Sequence, residues 1–250
     1  MTPRPRILGI PADPLTYAEL WQHIGRWIEG GEGMHQICTI NPEFVVLAQS
    51  QAEFFQVLQK SAVNVLDGWG AVWALRWRGI AVPGRVTGSD GLPLLAQAAA
   101  QHGWRLFFLG AGEGIAQQAA DILTARYPGL QVVGTYSGSP DPSDANFILE
   151  QLRQSEADIL LVAYGAPAQD LWIARYQAQL SVKVAMGVGG SFDFITEHIP
   201  RAPHWMRRSG LEWLFRLYQQ PWRWRRMLRL PLFVWWAWRY GEHRVPGQGT

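Results

Sequence analysis

The sequence predicts an α/β protein: a Rossmann-like, mostly parallel sheet with helices on both faces, followed by a helical C-terminal appendage. Three observations carry that expectation. Apolar runs of strand length alternate with helical stretches from residue 104 to 188, the pattern of a parallel sheet covered on both sides. Glycine or polar residues stand where those runs end. The basic residues and tryptophans crowd into the last fifth of the chain. Residues 1–200 read as one α/β domain and 201–250 as the appendage.

Taken in order, residues 15–29 form an amphipathic helix, capped by Asp13 or Thr16 and ended at Gly30-Gly31. His35–Ile40 reads as a strand closed by Asn41-Pro42, and Pro42 starts a helix running to about Gln59. Val63-Asn64-Val65-Leu66 suits a core strand and is followed by Asp67-Gly68. A short helix bearing Trp69, Trp73 and Trp77 comes next, then a loop from Val82 to Asp90 and an alanine-rich helix over 91–102. Strands are expected at 104–109, 131–136, 158–164 and 182–188, and helices at 115–127, 145–154 and 168–179.

The net charge of +2 hides an asymmetry. Ten of the twenty arginines and seven of the fourteen tryptophans lie beyond residue 200, with only Glu212 and Glu242 against them. The body is mildly acidic. The longest uncharged apolar run of the tail, Leu230–Trp238, falls far short of the ~20 residues that span a bilayer. Tryptophan and arginine on amphipathic segments suit a lipid interface. They also suit single-stranded nucleic acid, or a helical layer packed on the body or on a second subunit. A single cysteine, Cys38, excludes an internal disulfide and fits a reducing, cytoplasmic setting. The basic N-terminus has no long apolar run behind it, so no signal peptide is expected.

Candidate chemistry gathers at strand ends. In a parallel sheet these share one rim, where ligands bind. Asp67 is placed there either as a general base or as the cap of the helix that follows. Thr39 and Asn41 close the first long strand. The turn Gly110-Ala-Gly112-Glu-Gly114 opens a helix and favours a phosphate. Its G-x-G-x-G spacing, with no acid closing the next strand, departs from the nicotinamide fingerprint. A nucleotide diphosphate or a purely structural turn remains open. Gln169 and Asp170 follow the strand ending at Tyr164, and Asp193 follows the strand ending at Val188. The sequence has no Asp-x-Asp pair, no histidine set with metal-ligand spacing, no nucleophile elbow and no Walker loop. No metal and no cofactor are expected. A leaving diphosphate would then need arginine, and Arg85, Arg201 and the tail arginines are available. The rival readings are a nicotinamide-dependent oxidoreductase and a non-catalytic membrane or nucleic-acid adaptor.

Several short motifs occur in a fixed order: Asp67-Gly68, Arg85-Val-Thr-Gly-Ser-Asp90, Gly165-Ala-Pro-Ala-Gln-Asp170, Gly187-Val-Gly-Gly-Ser-Phe-Asp193, Arg201-Ala-Pro and Gly210-Leu-Glu-Trp-Leu-Phe-Arg216. Over roughly residues 6–229 the chain resembles the WecG/TagA/CpsF glycosyltransferases (family 26). The resemblance implies an inverting, metal-independent transfer of N-acetylmannosamine, its uronic acid or another hexose. The donor would be a UDP-sugar and the acceptor a polyprenyl-diphosphate-linked sugar, in wall teichoic acid, common-antigen or capsule synthesis. It implies a cytoplasmic enzyme, peripheral on the inner face of the plasma membrane through its tail, with no nucleic-acid partner and homo-oligomerisation left open. Carried over by position, Asp67 matches the catalytic base, with Thr39 and Asn41 beside it. Arg85, Gln169 and Asp193 match the nucleotide-sugar pocket, and Arg216, Arg223 and Arg226 match arginines that close over the diphosphate. The chain departs from the family at Ala168 and Asp170, where Lys and Glu are usual, and around Glu197-His198. These departures leave the donor sugar open.

Overall fold

The structure is a computed structural model that describes residues 4–30, 32–199, 202–203, 205–206, 211–219, 221 and 224–245. A six-stranded, wholly parallel sheet forms its centre. The strands are β3 (His35–Ile40), β4 (Val63–Leu66), β5 (Arg105–Gly110), β6 (Gln131–Tyr136), β7 (Ile159–Ala163) and β8 (Val184–Gly187), in the order β4-β3-β8-β7-β5-β6. Because every strand runs the same way, the C-terminal ends of all six share one rim.

Alternation along the strands divides the core. Ile37, Val63, Val65, Leu106 and Phe108 face one side, where α1 (Tyr17–Gly30), α5 (Gly88–His102), α6 (Ile115–Arg126) and α9 (Ser191–Ile195) cover them. Cys38, Ile40 and Leu66 face the other side, under α2 (Pro42–Ser50), α3 (Ala52–Lys60) and α4 (Trp69–Arg76). Farther along that side, Phe107, Leu109 and Leu160 lie under α7 (Pro142–Ser155) and α8 (Ala168–Tyr176). The Rossmann-like α/β architecture expected from the apolar runs is thus the observed one.

The differences in detail have local causes. An N-terminal hairpin, β1 (Arg6–Ile7) and β2 (Ile10–Pro11), stands apart from the main sheet. Thr16, not Asp13, caps α1: its hydroxyl accepts from Glu19 N while the Glu19 carboxylate accepts from Thr16 N, a reciprocal box. Asp13 instead accepts from Asn64 N and pairs with Arg4. The helix expected to run from Pro42 to Gln59 is broken at Gln51, whose backbone is extended. The break lets α3 turn its apolar residues toward α8 and β2 while α2 packs elsewhere. Helix α5 begins at Gly88, before the expected 91, because the Thr87 hydroxyl accepts from Asp90 N and caps it.

In the tail the structure describes α10 (Glu212–Gln219), α11 (Trp224–Met227) and α12 (Arg229–Tyr240). Helix α12 packs on α2 and α4, with Phe233, Trp236 and Ala237 buried in the same cluster as Phe44, Val45 and Leu75. Past it, Leu8 N donates to Gly241 O and Gly9 N to Glu242 O, tying the end of the tail to the N-terminal hairpin. No described helix is long and apolar enough to cross a membrane.

One buried charge has a measurable consequence. Asp170 is fully buried on α8, and neither carboxylate oxygen has a hydrogen-bond partner among the described residues. Burial pushes its pKa up to about 7. The folded chain therefore holds this proton where the unfolded chain, with a carboxyl near its ordinary value, has released it. Stability falls as pH rises from about 4 to about 7 and then levels off. Asp170→Asn removes that dependence. Its stability relative to the parent chain, read from urea midpoints, is expected to grow by about 2–3 kcal/mol between about pH 5 and pH 8.

Candidate active site

Two glycines build the site before any charged group enters it. Helix α4 starts directly off β4, and its first turn lies against Pro42 at the start of α2. A Cβ on Gly68 would sit 2.7 Å from Pro42 Cδ, and one on Gly70 2.5 Å from Pro42 Cγ. Only the missing side chains let the ends of β3 and β4 close up. Asp67 N donates to Ile40 O at 2.8 Å, fastening the two strand ends together. The N-cap of α4 is Gly68, not Asp67. Asp67 stands one residue before that position and lines a cavity.

Asp67 opens on a cavity of about 490 Å³ between the rim and the tail. Asn41, Glu43, Asp67 and Arg85 form its polar side, and Trp213, Leu230, Phe233 and Val234 part of its apolar side. Arg85 reaches it because the loop after α4 returns along β4, with Val86 N donating to Leu66 O, and its guanidinium lies 5.2 Å from the Trp69 ring centroid. Behind Asp67 stands Tyr17, whose hydroxyl accepts from Thr87 N at 3.0 Å. Burial raises the pKa of that phenol, and the negative charges of Asp90 and Asp67 add to the rise. Tyr17 thus braces the loop behind the carboxylate as a neutral hydroxyl.

Glu43 is a site residue that the sequence did not disclose. Arg226 Nε donates to Glu43 Oε1 at 2.6 Å, and Arg229 Nη1 to the same oxygen at 2.9 Å. Glu43 sits in the first turn of α2, two residues past Asn41, so it pins the α11–α12 segment over the rim. Its partners lie more than 180 residues away in sequence, and an acid in a first helical turn looks like an ordinary dipole partner. Glu43→Gln keeps the shape and removes the charge. Losing charge-assisted bonds at a half-exposed site costs about 1–2 kcal/mol. Turnover at this site is expected to drop about tenfold with the circular dichroism spectrum unchanged. An unchanged rate would mean that the cover seats without this acid.

The other candidates are spread along the rim. Asn41 lines the cavity, but its side-chain oxygen accepts from Phe44 N at 3.0 Å and caps α2. Thr39 is buried inside β3, off the cavity. Gln169 is buried, and its side-chain oxygen accepts from Gly189 N at 3.0 Å, shaping the loop after β8. Asp193 lies in the first turn of α9, beyond that loop. Gly110 and Gly112 are at the end of β5. Gly110 has φ +99°, and a Cβ there would meet the Ala163 backbone at 2.9 Å, so glycine is required by the close strand approach as well as by the turn. Four strand positions separate β5 from β4, about 19 Å at ordinary strand spacing. Arg216 belongs to α10, but nothing of its side chain is described; Arg201 and Arg223 lie outside the described residues. Among the described residues no group of three or more His, Cys, Asp or Glu is placed to hold a metal ion.

The arrangement is a strand-end carboxylate facing a half-apolar cavity, with an arginine beside it and a basic helical cover above it. Comparison with known proteins gives this geometry a context. The model of the WecG/TagA/CpsF family of glycosyl transferases matches residues 5–245. The N-acetylglucosaminyldiphosphoundecaprenol N-acetyl-beta-D-mannosaminyltransferase of Bacillus subtilis (strain 168) is 32% identical over 198 residues, covering 79% of this chain and 77% of that protein. The protein of the same name from Bacillus spizizenii is also 32% identical, over 79% of this chain and 76% of its own length. The chain belongs to the WecG/TagA/CpsF glycosyl transferase family.

Proposed function

We propose that this protein is an inverting, metal-independent glycosyltransferase that moves an N-acetylmannosamine-like hexose from a UDP-sugar to a polyprenyl-diphosphate-linked sugar. The observation that carries the proposal is the placement of Asp67: at a strand end of the parallel sheet, lining a cavity between the rim and the basic tail, with Arg85 in the same lining. In this reading Asp67 takes the proton from the acceptor hydroxyl as that oxygen attacks the anomeric carbon. The bond from the sugar to the diphosphate breaks in the same step, and UDP leaves with the electron pair. Arg85, Arg226 and the tail arginines Arg216 and Arg223 offset its charge in place of a metal.

The donor lies along the rim, its sugar toward Asp67 and its nucleoside diphosphate toward the loop after β8 and the Gly110–Gly112 turn. The span of about 19 Å from β4 to β5 along the rim suits an extended nucleotide-sugar. The apolar side of the cavity suits the prenyl end of the acceptor, and the named activity of the two Bacillus relatives, on a diphosphoundecaprenol-linked sugar, supports that choice. The tail then works at the inner face of the plasma membrane, where such an acceptor and the soluble donor meet.

The test is UDP release across a panel of UDP-sugars with an N-acetylglucosaminyl-diphospholipid acceptor and a chelator present. Release confined to one or two donors, dependent on the acceptor and indifferent to chelator, is the expected result. Release that needs added metal would overturn the metal-independent part, and no release with any donor would overturn the substrate assignment.

A further inference from the structure

Helix α4 leaves the rim at Asp67-Gly68 and carries Trp69 and Trp73, with Trp77 at its C-cap, spaced four residues apart on one stripe. Trp69 is engaged at the cavity beneath Arg85. Trp73 and Trp77 instead stack on each other with ring centroids 4.9 Å apart, and stand 42% and 52% exposed. Two stacked, exposed indoles on a helix of the body have no part in the core or in the proposed chemistry. On α12, which packs against α4, Val234, Trp235 and Trp238 are also exposed, the last by 62%. Trp69 and Val234 line the same cavity, so an aromatic stripe starts from each side of its mouth.

Charge separates the candidate occupants of this surface. The chain has no acidic residue between Asp67 and Asp90, where it has Arg76, Arg78 and Arg85. It has none between Glu212 and Glu242, where it has six arginines. In the fold Arg78 pairs with Glu242, and Arg226 and Arg229 share Glu43, which leaves arginine in excess of acid; tryptophan beside that net positive charge matches the interface of an anionic leaflet. A second copy of the same surface would set arginine-rich stretches against each other. We infer that the exposed Trp73–Trp77 stripe of α4 is a membrane-docking element in the body of the protein, and that together with the exposed face of α12 it seats the Asp67 cavity against an anionic bilayer. Helix α4 is eight residues long, about 12 Å, so docking through it holds the carboxylate within roughly that distance of the headgroups. This rests on the lipid-linked acceptor of the proposed function, and it adds a contact outside the tail.

The experiment is sedimentation of the intact chain with vesicles of phosphatidylglycerol and phosphatidylcholine, comparing Trp73→Ser/Trp77→Ser with Phe147→Ser. Phe147 is an equally exposed aromatic on α7, outside this surface. UDP release with a short-chain, water-soluble acceptor is measured in parallel, and separates docking from catalysis. The double variant is expected to bind at least about tenfold more weakly, from the interfacial area that two indoles bury. It should keep turnover on the short acceptor, while Phe147→Ser binds like the parent chain. Trp73→Tyr/Trp77→Tyr should restore most of the binding, since tyrosine also favours the interface. If the serine pair lowers the melting temperature, the single Trp77→Ser variant takes its place. Unchanged vesicle binding by the double variant overturns the inference. So does a dimer that these substitutions dissociate while vesicle affinity stays the same. Failure of the parent chain to bind anionic vesicles overturns it as well, and leaves the transfer reading to be judged by UDP release alone.

Discussion

Asp67→Asn is expected to lower the rate of sugar transfer by a factor of about 10²–10⁴, the range that a positioned general base contributes. The substitution is nearly isosteric, and the backbone bond from residue 67 N to Ile40 O does not involve the side chain. The fold and the cavity should therefore survive. The amide cannot accept a proton from the acceptor hydroxyl, so the loss belongs in kcat, with the Kd for UDP within about threefold of the parent value. The case for the carboxylate is positional. Its neighbour Gly68 holds the cap position of α4, and Pro42 presses close enough to exclude a side chain at residues 68 and 70. The Asp67 carboxylate lines the cavity, with the neutral Tyr17 behind it. A variant with parental turnover would remove Asp67 from the chemistry.

Phe233→Ala is expected to destabilise the whole protein by about 3–5 kcal/mol, the usual cost of deleting a fully buried phenyl ring. Phe233 is 1% exposed, and it belongs to a core cluster that includes residues of α2, α3 and α4. Its ring edge lies 3.5 Å from where a Cβ on Gly70 would be, so the same side chain also walls the cavity. A urea titration followed by far-ultraviolet circular dichroism should show one transition, moved to lower denaturant. Two transitions, with the body's unchanged, would show instead that α12 folds independently of the body. Removing the chain beyond residue 228 should do at least as much damage, because Trp236 and Ala237 leave the core with it. Loss of turnover on truncation would then report a broken core together with any lost membrane contact.

Strands buried on both faces must be apolar throughout, so the sheet was legible from the runs at 104–109, 158–164 and 182–188. Their polar ends marked the rim. The two-residue strands β1 and β2 were too short for any periodicity. The break at Gln51 carries no proline or glycine; tertiary packing of α3 on α8 and β2 decides it. At the rim, sequence showed which residue types stand at strand ends but not which way they face. Asn41 and Gln169 spend a side-chain oxygen on the backbone of α2 and of the loop after β8, and Asp67 lines the cavity beside Asn41. Glu43 was illegible for a different reason: its meaning comes from Arg226 and Arg229, which only the folded tail brings to it.

The central claim is that Asp67 deprotonates an acceptor in a single displacement. It is tested most directly by measuring UDP release with the donor, with and without the lipid-linked acceptor, for the parent chain and Asp67→Asn side by side, and by weighing the intact protein after each reaction. The account predicts that the parent chain releases UDP only when acceptor is present, one for one with the new lipid-linked disaccharide, and that the variant does neither. Release without acceptor together with a hexose adduct on Asp67, or equal rates for the two proteins, would contradict it.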